Sequence, residues 1–288
     1  MRIGLFGLNA KVARTPDATA RLAALAEEAG YESWWAGEHV VLPSPRQPPS
    51  PMEPEDPILD PLVHLAYVAA RTERLKLGTG IIILPQRNPV VLAKQVASLD
   101  ELSGGRLLLG IGAGYLEPEM SAIGVSMAER GARTDEYIDS MRVLWTDPKP
   151  QYAGRFVDFA AIDAHPRPAR SGGVPIIIGG HTAAAHQRAV QRGQGWYGFA
   201  LTVDAAIEQI AGLRQAADDV ERPEGLGPLE ISVTPRRPVD RDVVARFAEA
   251  GVDRLVLYPL PLDQLDDVER YITEHAALIE EPAPPASG

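Results

Sequence analysis

The chain has no cysteine, which removes disulfides, thiolate metal sites and cysteine nucleophiles from consideration. It also lacks any apolar run approaching the ~18 residues of a membrane-spanning helix. Basic residues are the minority, with 28 Lys and Arg against 39 Asp and Glu and a net charge of −11. A general nucleic-acid binder needs a basic face to neutralise phosphates, so this balance argues against one. No secretory pattern stands at the N-terminus: MRIGLFGL carries one basic residue and then a short run with two glycines, which reads as a first strand. HExxH is missing, and His64, His165, His181, His186 and His275 show no metal-ligand spacing. What is present is a 288-residue chain, 45% hydrophobic, enough for a sizeable core and within the range of one α/β barrel. The expectation is a soluble, cytoplasmic protein without nucleic acid, membrane or metal.

Apolar runs and helical spacings alternate along the chain. Strands are expected at 2–8, 33–36, 75–84, 106–111, 174–178, 195–199, 229–233 and 253–258, each followed by a helical pattern. The strands are apolar throughout instead of alternating, as expected where both faces of a parallel strand are buried. Eight units in one chain favour a (β/α)8 TIM-type barrel over a doubly wound sheet. A doubly wound dinucleotide fold would also place a glycine-rich turn after the first strand, where GLNAKVARTPD has none. Long segments follow the second and fourth strands, placing extended loops at the C-terminal rim. The first of them holds eight prolines between Pro43 and Pro61, too dense for helix or interior strand. Residues 152–163 read as a hairpin-like excursion between the fourth helix and fifth strand. The domain expectation is one barrel over 1–280 and a disordered tail over 281–288.

Four places on this frame carry candidate chemistry. Glu38 and His39 follow the second strand at its C-terminal end; neighbours in an extended chain point apart, so one faces the pocket while the other holds the loop. LGTGIIILP sets Gly78 and Gly80 within a buried strand, marking a bulge or a close approach. GIGAGYLEPE fails the GxGxxG fingerprint because Tyr115 and Glu117 stand where the third glycine would be. Gly110, Gly112 and Gly114 then mark a narrow turn, fit for a planar ring or merely tight. In IIIGGHTAAAH a strand ends at Gly179–Gly180 and a helix starts near Thr182, leaving free N–H groups suited to phosphate. An ordinary threonine N-cap is the plainer reading of the same residues.

Together, EAGYESWWAGEH, ARTERLKLGTGIIILPQRNPVVLAKQVASLDELSGGRLLLGIGAGY, RGARTDEYIDSMRVLWT and IIIGGHT…GQGWYGF resemble the luciferase-like flavin and deazaflavin oxidoreductases, in the same order over residues 1–200. The chain looks most like the actinobacterial-type coenzyme F420-dependent branch. The resemblance implies a barrel whose third-strand bulge, at Gly80 and Ile81, packs on one face of the cofactor ring, often through a non-prolyl cis peptide. It implies that Glu38 and His39 lie near the ring, with His39 the candidate proton donor or acceptor. It assigns the cofactor phosphate to Gly179, Gly180, His181 and Thr182, and Gly112 and Gly114 of the narrow turn are the further candidates for cofactor binding. Some deazaflavin dehydrogenases of this fold carry a catalytic Glu just after the glycine turn; Tyr115 stands there in this chain, which leaves acid–base chemistry on His39.

The function expected from these residues is hydride transfer between F420 and a small-molecule substrate by a homodimer. A reductase supplying reduced cofactor is a possible partner. An FMN-dependent monooxygenase fed with reduced flavin is the alternative, because both cofactors present a tricyclic ring to the same pocket. A catalytically inactive ligand-binding barrel is the third reading; the retained bulge, Glu–His pair and GGHT turn speak against it.

Overall fold

A computed structural model describes residues 1–236 and 238–279; the expectation for the tail at 281–288 lies outside the described residues. The strands are β1 (Arg2–Phe6), β2 (Ser33–Ala36), β3 (Lys76–Thr79), β4 (Ile82–Ile83), β5 (Leu107–Gly112), β6 (Tyr152–Ala153), β7 (Asp158–Phe159), β8 (Ile176–Gly179), β9 (Gly195–Leu201), β10 (Glu230–Pro235) and β11 (Arg254–Leu257). The α-helices are α1 (Pro16–Glu28), α2 (Pro61–Ala69), α3 (Pro89–Leu102), α4 (Glu117–Ala122), α5 (Arg130–Thr146), α6 (Ala183–Arg192), α7 (Val203–Asp219), α8 (Arg241–Glu249) and α9 (Leu265–His275).

The main sheet runs β3-β2-β1-β11-β10-β9-β8-β5-β4, and an added β3–β5 pairing closes it on itself. β3 and β4 are two pieces of one position, so the closed barrel has eight parallel strands. This is the expected (β/α)8 TIM-type fold, with helices between the strands. Local chemistry explains why the helices start where they do. Thr15, Asp60, Asn88, Thr182, Thr202 and Asp240 each cap a helix with a side-chain oxygen, and proline opens α1, α2 and α3. The excursion is the hairpin β6–β7, whose turn is held by Glu136 accepting the N–H groups of Arg155, Phe156 and Val157. The segment after β5 departs from the expected loop, because α4 forms within it. Its Pro118 and the first-turn acids Glu117 and Glu119 are helix-start signals, but six residues are too few for a periodic pattern. No helix among the described residues is long and apolar enough to cross a membrane.

The barrel interior is layered from its N-terminal end to its mouth. At the base the fully buried Arg254 donates to Glu32 at 2.8 and 2.9 Å and to Ser232 at 3.0 Å, and pairs with Glu230. Its guanidinium lies over the Trp35 ring, 5.7 Å from the centroid. Trp35 stacks on Tyr197 at 5.3 Å, and the Tyr197 hydroxyl is hydrogen-bonded to Thr234. Above them Phe6 meets Tyr258 and Phe199 edge-on, at 4.9 and 5.1 Å. The base is therefore plugged by charge and the middle by aromatic stacking, and the C-terminal mouth offers partly exposed aromatic surface.

Outside the barrel wall, His64 of α2 accepts the Trp34 indole N–H at 3.0 Å in a fully buried contact. Burial pulls the imidazole pKa from 6.5 down to about 4. Below pH 6.5 the unfolded chain takes up a proton that the folded chain refuses, so stability present above 6.5 is lost as pH falls towards 4. The loss by pH 4.5 is about 2–3 kcal/mol from this residue. His64→Gln keeps an acceptor for Trp34 and removes the titration. Urea unfolding at pH 7.5 and 4.5 is expected to show a smaller acid loss in the variant, and equal losses would remove His64 from the acid limb.

Candidate functional site

The site is assembled where β2, β3, β5 and β8 end. Asn9, fully buried after β1, donates to the Gly37 and Leu59 carbonyls at 2.9 and 2.8 Å and accepts the Gly37 N–H at 3.2 Å. That clamp fixes the backbone one residue before Glu38. Glu38 then turns into the protein, accepting the Ile83 N–H at 2.6 Å and the Arg87 Nε–H at 2.8 Å. Arg87 also reaches the α2 cap residue Asp60 at 2.6 Å. Burial pushes the Glu38 carboxyl up while Arg87 and the Ile83 N–H pull against it. With both oxygens engaged, Glu38 joins the ends of β2 and β4.

His39 turns the other way. Its Nδ1 lies 3.0 Å from Glu119 Oε2 and its Nε2 lies 3.4 Å from the Tyr115 hydroxyl. Glu119 comes from α4 with its side chain wholly buried, and its other oxygen accepts the Val40 N–H at 2.6 Å. Tyr115 is half exposed. Burial of its hydroxyl, with the Glu119 charge beside it, raises the phenol pKa, so it stays protonated. The arrangement can hold and move a proton between the His39 ring and a molecule in the mouth.

Beside this group the barrel wall is broken between β3 and β4, and the Gly80–Ile81 peptide is cis, as the resemblance implies. The Ile81 side chain lies where Gly112 and Gly179 leave room: a Cβ on Gly112 would overlap Ile81 Cδ1, and one on Gly179 would approach it to 3.0 Å. A Cβ on Gly80 would meet the Phe6 ring at 3.0 Å, so its bare side faces the aromatic layer. Gly114, at φ +84°, packs on Ile83 and Met120.

Across the mouth, Gly180 (φ +126°), His181, Thr182, Ala183 and Ala184 are exposed at the start of α6. Thr182 caps the Ala185 N–H at 3.3 Å, and the two N–H groups before it point out of the first turn. Trp196 donates its indole N–H to the Gly180 carbonyl at 2.7 Å, fixing the turn. The Phe199 N–H donates to His181 Nε2 at 3.1 Å, so the proton of neutral His181 sits on Nδ1. Burial, with His186 nearby, lowers the His181 pKa and keeps the ring neutral. Phe199 thereby links this turn to the aromatic layer under the mouth.

The structure thus gathers His39, Gly80, Ile81, Gly112, Gly114 and Gly179 at adjoining strand ends, with Gly180, His181 and Thr182 at the α6 start, and turns Glu38 away. Sequence reasoning missed Glu119, Arg87 and Asn9, as well as the Phe6–Phe199–Tyr258 layer. The signal for Glu119 was the proline and paired acids that open α4; Asn9 and Arg87 act through contacts distant in sequence and leave none. No group of three or more His, Asp or Glu among the described residues is placed to hold a metal ion.

Nearly the whole chain matches relatives of similar length. An uncharacterised protein of Mycobacterium tuberculosis is 32% identical over 286 residues, covering 96% of this chain and 98% of the relative. Among solved structures, the monooxygenase RslO1 from Streptomyces bottropensis superposes with a TM-score of 0.76 at 22% identity, covering 97% of this chain and 98% of that one. The coenzyme F420-dependent tetrahydromethanopterin reductase from Methanopyrus kandleri does so with a TM-score of 0.76 at 16% identity, covering 96% and 98%. Both are likenesses of fold. Residues 1–276 match the luciferase-like monooxygenase family, and the chain belongs to that family.

Proposed function

We propose that the protein is an oxidoreductase that binds F420 in the barrel mouth and exchanges hydride between it and an organic substrate. The observation that carries this reading is the pairing of two features on one rim. The first is the anchored His39 beside the β3–β4 break, and the second is the exposed α6 start joined to the aromatic layer through Phe199. The donor set at the α6 start, with outward N–H groups and the His181 Nδ1–H, suits a phosphate. The half-buried Ile81 side chain and the aromatic residues suit the face of a planar ring. When bound, the deazaflavin would supply the two-electron chemistry. The chain's own part is to seat the ring, hold its phosphate and move a proton at His39 Nε2. Glu38 serves by fixing the β2 end against β4.

The F420-dependent neighbour matches this chain over nearly its whole length, which supports the deazaflavin. The RslO1 likeness supports the second reading, an FMN-dependent monooxygenase supplied by a reductase. Titration of the purified protein with oxidised and reduced F420 and FMN, followed by fluorescence, separates them. Saturable binding of F420 and none of FMN is expected. The reverse result supports the monooxygenase reading, and binding of neither favours the catalytically inactive barrel.

A further inference from the structure

We infer that Glu119 is a positioning residue that sets the tautomer of His39, placing the proton on Nδ1 and leaving the lone pair on Nε2, beside the Tyr115 hydroxyl. The inference builds on His39 as the proton-transfer group, but its test reads the imidazole in the cofactor-free protein. Two contacts carry it. An ionised carboxylate only accepts hydrogen bonds. Glu119 Oε2 lies 3.0 Å from His39 Nδ1, and Oε1 takes the Val40 N–H at 2.6 Å. The Val40 amide has no alternative proton position, so it fixes one oxygen, and the other is left for an Nδ1–H donor. At the opposite end of the ring the Tyr115 hydroxyl, which can donate or accept, stands 3.4 Å from Nε2 and accommodates either tautomer. The Glu119 end of the imidazole therefore sets the tautomer, and the Tyr115 hydroxyl follows it.

The burial of Glu119 makes this selection firm. Its side chain has no exposed surface, while that of His39 retains 9%. A buried carboxylate that lost its imidazole donor would be left with an unmatched acceptor, which costs more than the bond itself contributes. The pair spans two chain segments, the β2 end and α4, so its geometry depends on the fold and not on local sequence. Glu119 does not face the substrate space itself; it acts through His39.

Glu119→Gln gives the sharpest test, because an amide has one acceptor oxygen for two donors. The Val40 N–H cannot change its character and claims that oxygen. The amide NH2 then faces His39 Nδ1, which must become the acceptor, so the ring proton moves to Nε2. Long-range 1H–15N spectra at a pH where histidine is neutral report this directly. Loss of one of the six imidazole spin systems in His39→Ala assigns the signal. The native protein is expected to show His39 with Nδ1 protonated, and Glu119→Gln to show the proton on Nε2. Glu119→Asp, which restores two acceptor oxygens, is expected to return the native tautomer. F420 affinity should stay within a few-fold in both variants, while turnover in Glu119→Gln falls by about 10²-fold, the lower part of the range for a proton-transfer group. A native spectrum with the proton on Nε2 overturns the inference by itself, whether or not the variants fold. An unchanged tautomer in a folded Glu119→Gln overturns it equally. Failure of F420 to bind, with the tautomers as expected, would count against the deazaflavin reading alone.

Discussion

His39→Ala should leave F420 affinity within a few-fold of the native protein while turnover falls by about 10²–10⁴-fold, the span seen when an acid–base group is lost. The separation follows from where the residues stand. In the proposed site the phosphate donors would be those of α6 and the ring face would be Ile81 and the aromatic layer, none of which is held by His39. Its hydrogen bonds go to Glu119 and Tyr115. Removing the imidazole leaves Glu119 with the Val40 N–H as its remaining partner, a moderate stability cost that a thermal melt would register. Affinity is read by fluorescence titration, and turnover by the absorbance of the deazaflavin once a substrate that changes its redox state is found. If His39→Ala abolished cofactor binding while the fold stayed intact, His39 would be a cofactor ligand and its proton-transfer role would fall.

The order of strands and helices was readable because each strand is a continuous apolar run bounded by turn residues. The barrel followed from eight such units in a chain of this length. The Glu38–His39 pair shows how far local reasoning reaches. Extended geometry required the two side chains to diverge, and they do, but nothing local said which would enter the mouth. That was decided by Arg87, nearly fifty residues further on, which draws Glu38 inward. Glu119 marks the limit. It sits in a helix of six residues after a glycine turn, and its importance lies in a contact with a residue eighty positions earlier. Tyr115 stands where some deazaflavin dehydrogenases of this fold carry an acid; the chain brings one, Glu119, to His39 from a helical turn further on.

The glycines illustrate the same limit from the packing side. Gly110 and Gly112 read alike in the sequence, as parts of one glycine-rich strand end, but the structure gives them different neighbours. A Cβ on Gly110 would overlap the Thr79 carbonyl oxygen, which belongs to the adjoining barrel strand and cannot turn aside; the Thr79 hydroxyl meanwhile donates to the Gly110 carbonyl at 2.6 Å. A Cβ on Gly112 would overlap the tip of the Ile81 side chain, which can rotate away. Gly110→Ala must therefore push two barrel strands apart, and a destabilisation of about 3 kcal/mol or more is expected, at the upper end for overpacking. Gly112→Ala should fold with a loss of about 1 kcal/mol, but the displaced Ile81 would reshape the surface proposed to seat the ring. F420 affinity is then expected to drop by tenfold or more. Urea unfolding of both variants, with cofactor titration of each one that folds, checks the pair. If Gly112→Ala bound F420 as the native protein does, Ile81 would have no part in seating the ring, and the cofactor face would have to be sought elsewhere in the mouth.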